Sequence, residues 1–264
     1  CPPWDFAWTD GYVLSKDIMD QESELKGCDC EDDECDPKTC ACLRKAMTLN
    51  WSGNYHEFMD FAYDENGCIQ SWFLIGAPIW ECNSKCGCSS SCRNRVVQKG
   101  RTQPLDIFKT PNFGWGIRAR ETIPQGAFIG IYAGELITEK ESDHRAAIYD
   151  QIGSTYQFNL DNHIIKQFRS RVSRLNKDER QEASVWERRL EQMEEGGELV
   201  IDAGLWGNLT RFLNHSCDPN LFMYPVWTEE PSIYRPFLAF FSRRVIEAGE
   251  ELTFDYKGGA TEDD

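Results

Sequence analysis

The sequence predicts a mostly β protein with short helices (α+β), preceded by a cysteine-built metal module. Three observations carry that expectation. Short runs at 105–110, 128–135, 155–161, 199–203, 221–227 and 237–241 have the length and the apolar or alternating pattern of strands. Within the strand-bearing part, the best helical candidate is the short segment 139–152. Of twelve cysteines, nine sit in two clusters before residue 93 and only Cys217 lies beyond them.

At 264 residues the chain can bury a sizeable core as one large domain or two small ones, and the cysteine placement favours two. The formal net charge is −16, and 166–198 holds eight basic and eight acidic residues, so the surplus lies outside that segment. Such a surface disfavours direct nucleic-acid binding and suits a cationic partner such as a basic peptide tail, or serves only solubility. No apolar run of about 18 residues and no secretory signal are present, so no membrane partner is expected. The chain starts at Cys1 rather than Met and reads as an excerpt.

Residues 1–27 mix Trp4, Phe6, Trp8 and Tyr12 with acidic residues and read as an extended arm packed on the body. The module 28–104 follows. It carries Cys28-x-Cys30-x4-Cys35-x4-Cys40-x-Cys42 and Cys82-x3-Cys86-x-Cys88-x3-Cys92. Neighbours in C-x-C are poorly placed to bridge each other and well placed to ligate adjacent ions, and tetrahedral zinc takes four thiolates. Nine cysteines fill the twelve positions of three ions if six are terminal and three bridge. The alternative is a disulfide framework, against which the odd count stands. Cys1 and Cys68 fall outside the pattern. Between the clusters lie a turn at Tyr63-Asp64-Glu65-Asn66-Gly67 and an expected short strand at 72–75.

From about residue 105 the second domain runs to 257. Asn112-Phe113-Gly114-Trp115-Gly116 is a Gly-flanked turn entering a strand; a G-x-G of this kind is a weak signal and lacks the strand-to-helix context of a dinucleotide fold. Residues 128–135, with Tyr132, read as one apolar strand ended by Gly. The segment 166–198 is charge-dominated and reads as a solvated helix or hairpin, either an inert insertion or a regulatory, partner-binding one. Residues 208–213 can form one helical turn, which the polar run Asn214-His215-Ser216-Cys217-Asp218-Pro219-Asn220 cannot continue; a buried irregular segment is expected there. Asn214, His215 and Cys217 together supply an amide, an imidazole and a thiol to one loop. Gly249-Glu250-Glu251-Leu252-Thr253-Phe254-Asp255-Tyr256 then leads into a flexible Gly-rich, acidic end at 258–264.

The stretches Arg211 to Asn220 and Gly249 to Tyr256 resemble the paired C-terminal signatures of SET-domain protein lysine methyltransferases. In that family the first stretch threads under a loop made by the second, so the resemblance implies a SET fold of small sheets with a knot-like C-terminal substructure. The nine cysteines, split five plus four, are similar to the pre-SET module of the Su(var) class, which holds a triangular three-zinc cluster. The resemblance further implies S-adenosylmethionine as methyl donor, contacted by Phe113, Gly114, Trp115, Thr155, Tyr156, Arg211, Phe212, Asn214 and His215. Tyr132 and Tyr256 would line the lysine channel, and Phe254 would set how many methyl groups are added. The implied substrate is lysine nine of the histone H3 tail, taken to the di- and trimethyl state in heterochromatin-type silencing, in the nucleus and on chromatin, with chromatin-associated proteins as further partners. Two departures stand out. Asn159 occupies a position where many relatives carry Asp. The three post-SET cysteines that usually join the cysteine of the NHSC stretch do not follow, so Cys217 would hold a further zinc only if they were supplied. Other readings are a lysine methyltransferase for another basic peptide, and an inert zinc-built interaction module on a SET fold.

Overall fold

A computed structural model describes residues 5–18, 24–31, 35–47, 60–73, 75–152, 156–160, 198–229 and 235–256. Thr155, most of the charged insertion, the end at 258–264 and Cys1 lie outside the described residues. The described chain is mostly β, as expected. Its strands are β1 (Ala7–Trp8), β2 (Tyr12–Leu14), β3 (Ile79–Trp80), β4 (Leu105–Lys109), β5 (Trp115–Ala119), β6 (Phe128–Ile131), β7 (Gly134–Thr138), β8 (Gln157–Asn159), β9 (Leu199–Asp202), β10 (Trp206–Gly207), β11 (Asn214–His215), β12 (Leu221–Trp227), β13 (Phe237–Ser242) and β14 (Thr253–Phe254). Helices α1 (Ala41–Met47) and α2 (Glu139–Ile152) accompany them. Two four-stranded sheets, ordered β3-β12-β13-β6 and β2-β7-β9-β8, are joined by three two-stranded pairs, β1-β10, β4-β5 and β11-β14.

The apolar runs of β12 and β13 pair antiparallel from Leu221↔Ser242 to Val226↔Phe237 and form the middle of the first sheet. Pro225 is tolerated within β12 because β3 pairs only from Val226 onward. Strand β3 comes from the cysteine-rich segment, and its Trp80 stacks on Trp227 with centroids 4.6 Å apart. Beneath this sheet one apolar cluster takes Tyr63, Phe73 and Trp80 from before residue 104 and Phe128, Tyr224, Trp227 and Phe241 from after it. Glu81, 2% exposed, fastens the same junction: its amide donates to the Trp227 carbonyl (2.8 Å), and its carboxylate, on the cysteine-rich side, accepts from the Tyr63 hydroxyl (2.9 Å) and the Val96 and Val97 amides (2.9 and 2.7 Å).

Helix α2 begins where its sequence says it should. Thr138-Glu139-Lys140-Glu141 has the spacing of a capping box, and the Thr138 hydroxyl accepts from the Glu141 amide at 3.4 Å. Arg145, one turn on, bridges Glu141 (2.8 Å), Glu135 (2.7 Å) and the buried Asp202 (3.0 Å), which holds the helix against β7 and β9.

Three expectations are corrected. The run 128–135 is two strands, not one: the chain leaves β13 after Ile131 and joins β9 from Glu135, so its unbroken apolarity reflects burial in two sheets. Tyr132 sits at that corner. The described residues of 72–75 form no strand; Phe73 is buried in the core, but its amide is spent on a local turn to the Gln70 carbonyl (2.9 Å). The stretch 214–220 is buried only at Pro219 and Asn220, while His215, Cys217 and Asp218 are exposed.

Candidate active site

The site is assembled by a threaded strand pair. A 3-10 turn, Leu209–Phe212, is capped by Asn208, whose side chain accepts from the Thr210 amide at 2.9 Å. The Asn208 amide and the Thr210 hydroxyl both donate to the Ile131 carbonyl, at 3.1 and 2.9 Å. One anchor therefore fixes both the corner that bears Tyr132 and the entry into β11. Strand β11 then pairs parallel with β14, Asn214 opposite Thr253 and His215 opposite Phe254. Asn220, 3% exposed, closes the thread: its amide donates to the Glu251 carbonyl (2.8 Å) and its oxygen accepts from the Thr253 amide (2.9 Å). Asn214 donates to the Glu251 carboxylate (2.7 Å) and to the Trp115 carbonyl (3.3 Å), which ties the thread to the β4–β5 hairpin.

Around this thread stand five aromatic rings. Phe254 is 4% exposed and lies 4.8 Å from Phe240, 4.7 Å from Tyr256 and 6.0 Å from Phe158, centroid to centroid. Tyr132 lies 5.4 Å from Phe158 and 6.5 Å from Phe240. The Phe254 and Tyr256 rings share one face of the extended chain, as period-two alternation predicts. The Tyr132 hydroxyl donates to the Tyr156 carbonyl (2.8 Å), and that of Tyr256, a half-exposed residue, donates to the Leu213 carbonyl (2.7 Å). Burial pushes Tyr132 well above the ordinary phenol value and pushes Tyr256 up to about 12. Both phenols are neutral at physiological pH. With its proton committed to a carbonyl, the Tyr256 oxygen offers lone pairs to an incoming N–H.

Of the residues proposed from sequence, the structure brings together Tyr132, Tyr156, Arg211, Phe212, Asn214, His215, Phe254 and Tyr256. The Tyr256 amide donates to His215 Nδ1 at 3.2 Å. Trp115 joins through its carbonyl. Gly114, at φ +77°, turns the hairpin, and Phe113 stands 72% exposed at its tip. Sequence reasoning gave no role to Phe158, Phe240, Asn220, Glu251 or Gly116. Gly116 had a readable signal, a glycine inside a strand: a Cβ there would stand 2.6 Å from a Glu251 carboxylate oxygen and 3.0 Å from the Asn214 amide.

The second centre is the cysteine cluster. All nine thiols converge in four overlapping tetrads, each with its sulfurs within 4.8 Å of one another, and Cys28 and Cys82 belong to three tetrads each. Sulfur separations of 3.5 Å (Cys35–Cys82), 3.6 Å (Cys42–Cys86) and 3.7 Å (Cys28–Cys35) exclude disulfides between these pairs and suit thiolates sharing ions. Burial pushes the Cys28 thiol up to about 12, and a divalent cation bound there would draw its proton off at neutral pH. Arg95 and Asn94 donate to the cluster from outside, to Cys88 at 3.6 Å and Cys82 at 3.5 Å. The residues fit zinc.

A cluster of aromatic rings around a threaded strand pair, with a nine-thiol cluster docked on the adjoining sheet, defines the SET class of methyltransferase domains with a pre-SET module. Residues 114–257 match the SET domain and residues 1–95 the Pre-SET motif. The chain belongs to the SET-domain family, in its Su(var) class. Over its whole length it is 40% identical to an H3 lysine-9 specific histone-lysine N-methyltransferase of Cryptococcus neoformans, of which it covers 15%. The chain spans 15% to 52% of the length of its most similar curated relatives. Its fold is similar to the methyltransferase domain of human histone-lysine N-methyltransferase SETMAR (TM-score 0.73, 32% identity, covering 99% of this chain and 79% of that one). It is also similar to KRYPTONITE in complex with mCHH DNA, an H3(1–15) peptide and SAH (TM-score 0.68, 25% identity, 100% and 43%).

Proposed function

We propose that this chain is the catalytic part of a histone-lysine N-methyltransferase that carries lysine nine of the H3 tail to the di- and trimethyl state. The observation that carries the reading is the aromatic cluster, whose two neutral tyrosines and one phenylalanine meet the threaded strands. S-adenosylmethionine, when bound, supplies an activated methyl group on a sulfonium. Phe113, Gly114, Trp115, Thr155, Tyr156, Arg211, Phe212, Asn214 and His215 hold that donor, and the peptide enters from the opposite face. Tyr132 and Tyr256 line the lysine channel. Tyr256 cannot act as base at neutral pH, since its proton is held up to about 12; it accepts from the amine and points the nitrogen lone pair at the methyl. Holding donor and nucleophile in line in a channel that excludes water supplies up to roughly 7–11 kcal/mol of the barrier.

The nine cysteines hold three zinc ions, with residues 28–104 as the pre-SET module and 105–257 as the SET domain, interrupted at about 166–198. Cys217, exposed and 3.5 Å from His215 Nε2, takes a further zinc only together with cysteines supplied from elsewhere. The substrate places the protein in the nucleus on chromatin, and the acidic surface favours the basic tail over direct nucleic-acid contact. Incubation with labelled S-adenosylmethionine and an H3 tail peptide tests the reading. Label should enter the peptide and be lost when lysine nine is replaced by arginine; label in both peptides, or in neither, overturns it.

A further inference from the structure

The N-terminal arm reaches the site at Arg211. Its guanidinium carbon stands 4.1 Å from the Phe6 ring centroid and 4.0 Å from that of Tyr156. Arg211 therefore packs against a ring of the arm and a ring beside the proposed lysine site, with Phe212 as a third ring at 5.4 Å. The side chain is 2% exposed. Nη2 donates to the Gly204 carbonyl at 3.4 Å, while Nε and Nη1 are buried without a hydrogen-bond partner among the described residues, Nη1 lying 3.8 Å from the exposed Asp5 carboxylate. The arm is pinned there by β1, whose Ala7 amide donates to the Leu205 carbonyl (2.8 Å), followed by Thr9 to Gly207 (2.9 Å). Phe6 also meets Phe212 edge-on at 6.1 Å. The Tyr156 carbonyl accepts from both the Tyr132 hydroxyl (2.8 Å) and the Ala203 amide (3.1 Å).

We propose that Phe6 is a positioning residue for methyl transfer: its ring holds the Arg211 guanidinium flat against Tyr156, so that two buried N–H donors and the carbonyl that orients Tyr132 are fixed before the methyl donor binds. The inference rests on the assignment of Arg211 and Tyr156 to the donor site. An arginine side chain has four torsions to immobilise, and rings packed against it fix its plane while leaving the in-plane N–H groups free for an anionic or carbonyl acceptor. An aliphatic residue at position 6 would fill the space without fixing the plane.

The test is calorimetric binding of S-adenosylhomocysteine to the chain and to Phe6→Leu and Phe6→Tyr. The leucine variant should bind roughly tenfold more weakly, the scale of a desolvated cation–π contact, with the thermal midpoint and the KM for peptide unchanged. The tyrosine variant should bind like the parent. Equal binding by the leucine variant overturns the inference alone, as does a loss matched by a fall in thermal midpoint and in peptide KM that tyrosine does not rescue. A parent chain that binds no S-adenosylhomocysteine overturns the donor-site assignment and this inference with it.

Discussion

Phe254 is a single ring in contact with Phe240 and Tyr256, and it brings no hydroxyl to the channel. In Phe254→Tyr the new hydroxyl adds a hydrogen bond worth about 1 kcal/mol to the bound amine or a water, and fills space a methylated amine needs in order to turn. Since about 1.4 kcal/mol is tenfold in rate, that suffices to separate successive transfers. Mass spectrometry of the peptide should show di- and trimethyl product with the parent and monomethyl product with the variant. Tyr256 gives a pH prediction. Its folded value is raised to about 12, so its protonated form prevails below that pH and any benefit of that form is lost only as pH rises through it. Tyr256→Phe should therefore lower kcat by about ten- to a hundredfold, through the lost orienting contact, at every pH from 6 to 10. A rate ratio that changes tenfold per pH unit in that range would mean that the phenolate is the working form.

At the scale of elements, the threaded pair depends on a close approach at Gly116. Gly116→Ala would drive a methyl to 2.6 Å from Glu251 and break the hold of that carboxylate on Asn214. A destabilisation of about 1–3 kcal/mol is expected, read as a lower thermal midpoint, together with weaker binding of S-adenosylhomocysteine. What the sequence made legible here follows physical range. Strands β4, β9, β12 and β13 and helix α2 were readable because their periodicity or capping is written in neighbouring residues. The aromatic stretch of the arm showed no period, because β1 and β2 are edge strands of two and three residues whose partners lie in β10 and β7. The partners of the thread were equally hidden: Asn214 and Glu251 are 37 positions apart, and nothing local to either names the other. The residues of the site were readable through the family motifs, and Gly116 through a glycine set inside a strand, whereas the support given by Asn220 and Phe6 emerges only from contact.

Across the whole molecule, the cysteine-rich segment and the first sheet share a core through Trp80 and Trp227, and the Glu81 amide donates across it to the Trp227 carbonyl (2.8 Å). Each structural zinc contributes on the order of 10 kcal/mol of ligation free energy that is also folding free energy. Chelation should therefore unfold the cluster and also loosen the sheet to which β3 is paired. Hydrogen exchange should report lost protection in β12 as well as around the cysteines, with metal analysis giving about three zinc ions per chain before treatment. Protection in β12 that survives complete metal removal would show the two parts to be energetically separate.

The parallel pairing of β11 with β14 also sets an order in time. During synthesis on the ribosome the strands of both large sheets emerge before Thr253, so most of the scaffold can collapse while the thread is still open. Asn214 and His215 have no ladder partner until Phe254 leaves the exit tunnel. The body of the fold can therefore take shape before the strand pair that would complete the proposed site has closed.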